Sequence, residues 1–111
     1  MAGPRNSHYV EDVYAVTQSI PPGRITTYGA IADFLTLGSA RMVGWALNKV
    51  TPGDQVPAHR VVNRKGELSG RTHFKPPSAM QERLEAEGIV VVDDKVRDFK
   101  ELFWSPTELL P

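Results

Sequence analysis

At 111 residues the chain is the size of one domain with one modest core, read here as a single domain over 1–111, and its apolar content is that of a folded protein, not a disordered tail. No apolar run is long enough to span a bilayer and the first eight residues lack the apolar centre of a signal peptide, so the expectation is a cytoplasmic protein, nucleoid-associated if bacterial. The chain has no cysteine, which excludes a disulfide, a thiolate metal ligand and a thiol nucleophile; its net charge of zero conceals a basic middle, where Arg41, Lys49, Arg60, Arg64, Lys65, Arg71 and Lys75 face only Asp54 and Glu67.

The stretch 41–75 thus carries +5, between an N-terminal part at −1 and a C-terminal part at −4, a distribution that fits a localised polyanion-binding face. In chain order, Val10, Val13, Thr17 and Ile20 recur at helical spacing and predict a helix over 8–20 that Pro21-Pro22-Gly23 ends. Two short helices follow. Thr26 or Thr27 caps the first, which carries Tyr28, Ile31, Ala32 and Leu35; Leu37-Gly38 makes the turn, with Gly38 in the left-handed region; Ser39 caps the second, whose inward stripe is Val43, Ala46, Leu47 and Val50. Such a pair reads as a helix-turn-helix. After an irregular 51–62, Lys65-Gly66 predicts the tip of a hairpin between Val62 and Leu68, a wing beside the two helices. A third helical segment follows Pro76-Pro77, with Ser78 and Gln81 as a capping box, Met80 and Leu84 on one face, and Gly88 at its end. A last hairpin turns at Asp93-Asp94, and Phe99, Leu102, Phe103 and Trp104 dock back on the core. The fold class expected is mainly α with small β hairpins, a winged helix-turn-helix domain.

Four motifs occur in register. Pro57-Ala58-His59-Arg60-Val61 resembles the Pro-Cys-His-Arg-Val active-site motif of the O6-alkylguanine-DNA alkyltransferases, with alanine in place of cysteine. The segments 23–29, 39–44 and 85–88 resemble, in turn, that family's tyrosine-bearing segment, the start of its recognition helix, and the segment ending in its hydrogen-bonding glutamate. A free-standing domain with the cysteine replaced resembles the alkyltransferase-like branch, where tryptophan is the usual replacement and alanine a departure. The fold implied is that of the alkyltransferase C-terminal domain. The partner implied is duplex DNA containing O6-alkylguanine, whose damaged nucleotide is flipped into a pocket and held without alkyl transfer, since alanine's methyl cannot attack anything. The bound complex would then flag the lesion for nucleotide excision repair proteins, with the chain acting as a monomer.

The resemblance also assigns roles. Arg41 is the finger that enters the vacated stack through the minor groove, where a planar guanidinium stacks and donates at once. Ser39, Ala40 and Gly44 are small enough to let the helix approach closely. Trp45, one turn beyond Arg41, either touches DNA or covers the core. Lys49, Arg60 and Lys65 are phosphate contacts in this reading. Tyr28 stands at the pocket mouth, Pro57, Ala58 and Thr72 line the pocket, and Ala58 and Val61 offer backbone carbonyls to the guanine edge. Arg71, where the enzymes commonly carry tyrosine, lies over the flipped base. His59 and Glu87 form a polar network that shapes the loop.

Two other functions compete: a winged helix-turn-helix transcriptional regulator, which would need dimer symmetry that no segment here supplies, and a hydrolase or glycosylase built on His59 and Glu87. The three histidines show no ligand spacing and no glycine-rich phosphate loop is present, so neither metal nor nucleotide cofactor is expected.

Overall fold

The computed structural model describes residues 3–111, with side chains from Tyr9 onward; the leading residues of the signal-peptide reading lie outside that description. The first helix, α1 (Gly3–Gln18), begins earlier than the apolar spacing indicated. Val13, Val16 and Thr17 are buried along its inner side, and Ile20 is buried just beyond its end. The Thr17 hydroxyl donates to the Val13 carbonyl at 2.7 Å, so burying it leaves no unpaired donor. Beyond Pro21-Pro22, Gly23 adopts φ +82°, which only glycine does without strain.

Strand β1 (Thr26–Thr27) leads straight into α2 (Tyr28–Phe34). Thr27 is the cap: its hydroxyl accepts the Ala30 N–H at 3.0 Å. The second helix of the pair is α3 (Ala40–Leu47), packed against α2 and α1. Ile31, Ala32, Val43, Ala46 and Leu47 meet Val13, Val16, Ile20 and Trp104 in one core cluster. Each valine, leucine or isoleucine among them, fully buried, is worth roughly 1.5–3 kcal/mol, enough to hold two helices too short to persist alone.

The turn between them differs from expectation. Gly38 is not left-handed; Thr36 is, at φ +54°. The N–H of Leu37 bonds the Ala32 carbonyl at 2.9 Å and that of Thr36 bonds Asp33 at 3.2 Å, a Schellman ending. The left-handed position must directly follow the C-cap, and α2 ends two residues sooner than a glycine-centred turn requires. Ser39 does occupy the N-cap of α3, but its hydroxyl makes no capping bond.

The wing also differs from expectation. Val62 and Leu68 are not paired. Strand β2 (Val61–Val62) pairs in parallel with β1, Thr26 opposite Val61, and Glu67 instead bridges to Lys95. Lys65-Gly66 still forms the tip, with Gly66 at φ +82° and the Asn63 side-chain oxygen accepting the N–H groups of Lys65 and Glu67. Burial of Val62 and Leu68 in a second cluster draws the chain inward where a simple hairpin would splay outward.

That second cluster also takes Ile25, Met80, Leu84, Ile89, Val91 and Val96. Met80 and Leu84 come from α4 (Ala79–Ala86). The capping box proposed for it is absent: Ser78 sits at φ −64°, ψ −15°, already helical, and Gln81 donates to Glu85 at 3.0 Å instead. Gly88 ends the helix at φ +89°, with Ile89 N–H on Leu84 and Gly88 N–H on Glu85. Strands β3 (Val91–Val92) and β4 (Lys95–Val96) make the last hairpin, turning through Asp93 and Asp94, both at positive φ. The short helix α5 (Phe99–Leu102) precedes the return of the chain, where Ile25 exchanges backbone bonds with Leu102 and Trp104.

Candidate nucleic-acid interface and lesion pocket

Helix α3 buries one side and presents the other. Arg41, Trp45 and Lys49 are exposed, Trp45 at 56%. Trp45 therefore does not cover the core. With Tyr28, Ala40, Arg41, Gly44 and Asn48 it borders a shallow concavity of about 460 Å³. A Cβ at Gly44 would meet nothing within 4 Å, so no packing inside the protein demands glycine there. Tyr28 is half-buried, and burial raises the pKa of its phenol against the lowering effect of the Ser69 hydroxyl. Gly70 faces that phenol so closely that a Cβ would lie 2.6 Å from it.

Asn48 borders both this concavity and a second, deeper groove of about 650 Å³. Pro57, Ala58 and His59 form part of its lining, together with Phe74, Lys75 and Arg83. Ala58 opens a single 3-10 turn, Ala58–Arg60, between Pro57 and β2. Its N–H bonds the Val56 carbonyl at 2.8 Å and its carbonyl accepts the Val61 N–H, which leaves that oxygen one lone pair for a ligand.

One carboxylate holds this turn. Glu87 is the C-cap of α4, and the glycine ending after it leaves its side chain facing the turn. Oε2 meets His59 Nε2 at 2.8 Å and Arg60 Nη2 at 2.7 Å, Oε1 accepts the Gly23 N–H at 2.9 Å, and Arg60 Nη1 donates to the Ile20 carbonyl at 2.9 Å. Burial works against the charge on Glu87, but Arg60, the Gly23 N–H and His59 together outweigh it and bring the carboxyl from 4.5 down to about 2. Burial pushes the pKa of His59 down, against the upward pull of Glu87. A neutral imidazole facing a carboxylate must donate from Nε2, so Nδ1 is the bare nitrogen; it is buried and has no partner among the described residues.

The structure sorts the residues singled out from sequence. Pro57, Ala58 and His59 share the groove, with Glu87 behind them. Tyr28, Ala40, Arg41, Gly44 and Trp45 share the adjoining concavity, and Ser39 is exposed at the start of α3. The Val61 side chain is fully buried, so only its backbone can face a ligand. Lys65 is exposed at the wing tip. Arg71 and Thr72 border neither cavity. Arg71 donates to the Leu68 carbonyl at 3.1 Å and lies 3.8 Å from Asp94, with its side chain 43% exposed. Arg60 departs from the expected phosphate contact: its guanidinium is engaged by Glu87 and Ile20 and its side chain is 14% exposed, so it is not available to phosphates. Sequence reasoning missed Gly23 as a donor to Glu87, and Phe74, Lys75 and Arg83 as groove residues. Of these only Lys75 carried a signal, as part of the basic stretch.

A helix-turn-helix whose outer helix is cationic, beside a groove large enough for a base, defines a DNA-binding domain of the alkyltransferase type. The family described as the DNA-binding domain of 6-O-methylguanine DNA methyltransferase matches residues 8–89. Alkyltransferase-like protein 1 of Schizosaccharomyces pombe is 34% identical over 107 residues, 92% of this chain and 99% of that protein. The DNA base-flipping protein of Vibrio parahaemolyticus is 33% identical over 99 residues, 88% of this chain and 97% of that protein. Among solved structures, S. pombe Atl1 in complex with damaged DNA containing O6-carboxymethylguanine matches with a TM-score of 0.78 at 32% identity, covering 90% of this chain and 97% of that one. The chain belongs to the alkyltransferase-like family.

Proposed function

We propose that this protein binds duplex DNA at O6-alkylguanine, turns the damaged nucleotide out of the stack and holds it with the alkyl group over Ala58, transferring nothing. The observation that carries this reading is the position of Ala58: it faces a groove of about 650 Å³ adjoining the exposed side of α3, in a turn anchored by Glu87. A methyl side chain offers no lone pair to a carbon electrophile. Glu87, with its carboxyl at about 2, is also too weak a base at neutral pH to activate water, which argues against a hydrolase.

In this reading Arg41 fills the vacated stack, Gly44 lets α3 approach the minor groove, Tyr28 meets the rotating nucleotide, and Lys49 and Lys65 meet phosphates. Arg71, which borders neither cavity here, turns from the Leu68 carbonyl and Asp94 to lie over the extruded base, an attraction of roughly 0.5–2 kcal/mol that partly offsets the few kcal/mol of unstacking. The chain acts as a monomer in the cytoplasm, and the bound complex marks the lesion for nucleotide excision repair. Two measurements on one duplex sequence test the reading. Affinity should be higher with O6-methylguanine than with guanine, and a label on the O6-methyl group should stay on the DNA. Equal affinities would favour a sequence-reading regulator; label on protein or released as methanol would mean chemistry.

A further inference from the structure

The groove that holds Ala58 is electrically one-sided. No aspartate or glutamate lines it, whereas Lys75 and Arg83 do. Neither has a carboxylate within 4.0 Å among the described residues. Both are exposed, yet Arg83 is not free to wander: its guanidinium carbon lies 5.5 Å from the centroid of the Phe74 ring, which also lines the groove. The same groove also has apolar lining from Val50, Pro57 and Ala58. A methyl substituent satisfies the apolar lining and leaves the two cations with only water. A longer substituent ending in an anion satisfies both, and alanine at position 58 leaves it the room.

We propose that this groove selects O6-substituents that end in a carboxylate, with Lys75 and Arg83 as the residues that select them. This rests on the lesion-binding reading above and adds the chemical class of the adduct. The same cations could instead meet DNA phosphates, and the two sources of negative charge separate experimentally. Phosphates are common to every duplex, whereas the adduct carboxylate is not.

The test uses the whole chain and four duplexes of one sequence, carrying guanine, O6-methylguanine, O6-carboxymethylguanine or its neutral isostere, O6-carboxamidomethylguanine. The parent should bind the carboxylate about tenfold more tightly than the amide, about 1.4 kcal/mol, a modest factor because both cations touch solvent. Lys75→Gln and Arg83→Gln should each lower that ratio to about threefold or less, and the double variant should bring it to one. Any loss shared by all duplexes divides out of the ratio. Lys95→Gln, a cation of β4 away from the groove, should leave the ratio as in the parent. A parent ratio near one, with all three adducts still bound better than guanine, would overturn the proposal and spare the lesion-binding reading. A ratio that survives both substitutions, while every duplex binds more weakly, would assign these cations to phosphates and overturn it too. If no adduct is preferred over guanine, the lesion-binding reading fails and the proposal with it.

Discussion

Replacing Glu87 by glutamine tests the anchor of the Ala58 turn. The substitution keeps size and one acceptor, removes the charge, and leaves the Arg60 guanidinium without its counter-ion in a site where its side chain is 14% exposed. The carboxyl is held at about 2 against 4.5. At about 1.4 kcal/mol per pKa unit this is about 3 kcal/mol, which solvent at the rim of the site trims to about 2. For a domain of this size, 1 kcal/mol moves the melting temperature by about 3–6 °C, so Glu87→Gln should melt roughly 10 °C below the parent at pH 7. The pH dependence follows from the sign of the shift. A depressed carboxyl contributes in full above its unfolded value of 4.5 and loses that contribution as pH falls through about 2. His59, pushed down by burial, adds a separate loss that starts where the unfolded imidazole protonates, near about 6.5, so parent and variant are best compared below pH 4.5. Urea titrations followed by tryptophan fluorescence should show the gap between the two closing from pH 4.5 downward. A variant within about 0.5 kcal/mol of the parent at pH 7, or a gap that does not change with pH, would refute the assignment of this carboxylate as the anchor.

Thr36→Gly should stabilise the protein by up to about 1 kcal/mol in the same titration, because Thr36 holds φ +54° at the end of α2 and glycine does so without a Cβ clash. Gly70→Ala should displace the Tyr28 phenol, since the new Cβ would stand 2.6 Å from it; binding to alkylated duplex should fall about tenfold or more with the melting temperature changed by only a few degrees. Arg41→Ala should weaken binding to alkylated duplex more than to unmodified duplex, whereas Lys49→Ala and Lys65→Ala should weaken both by similar factors and each reduce the salt slope by about 0.9. A flat salt response in the parent would remove the basic face from the account.

The large divisions of this fold were legible because they rest on periodicity and punctuation. Val13, Thr17 and Ile20 at helical spacing, the Pro21-Pro22-Gly23 stop, Gly88 after α4 and the Asp93-Asp94 turn all act within a few residues of themselves. What failed depended on partners distant in sequence or on which of several adequate residues the chain uses. Thr36 took the left-handed place that Gly38 suited better, because the length of α2 set the position. The parallel pairing of Thr26 with Val61 spans 35 positions and leaves no local pattern. The site divided the same way. His59 and Glu87 were paired through the family resemblance and meet at 2.8 Å. Arg60, next in sequence to His59 and basic like its neighbours at 64 and 65, read as a phosphate contact; only the fold brings Glu87 to within 2.7 Å of it. Arg83 was invisible as a groove residue because α4 carries it among acidic neighbours, where its charge balances locally.

Extrusion of the damaged nucleotide, with Arg41 in its place, is the step on which the proposed function turns. The most direct measurement puts a fluorescent purine analogue bearing an O6-alkyl group at the lesion position of a duplex and follows its emission at saturating protein. Stacking quenches such a base, so extrusion should brighten it with the parent, and Arg41→Ala at saturation should brighten it much less. Emission unchanged by the parent protein, or raised as fully by Arg41→Ala, would contradict the account.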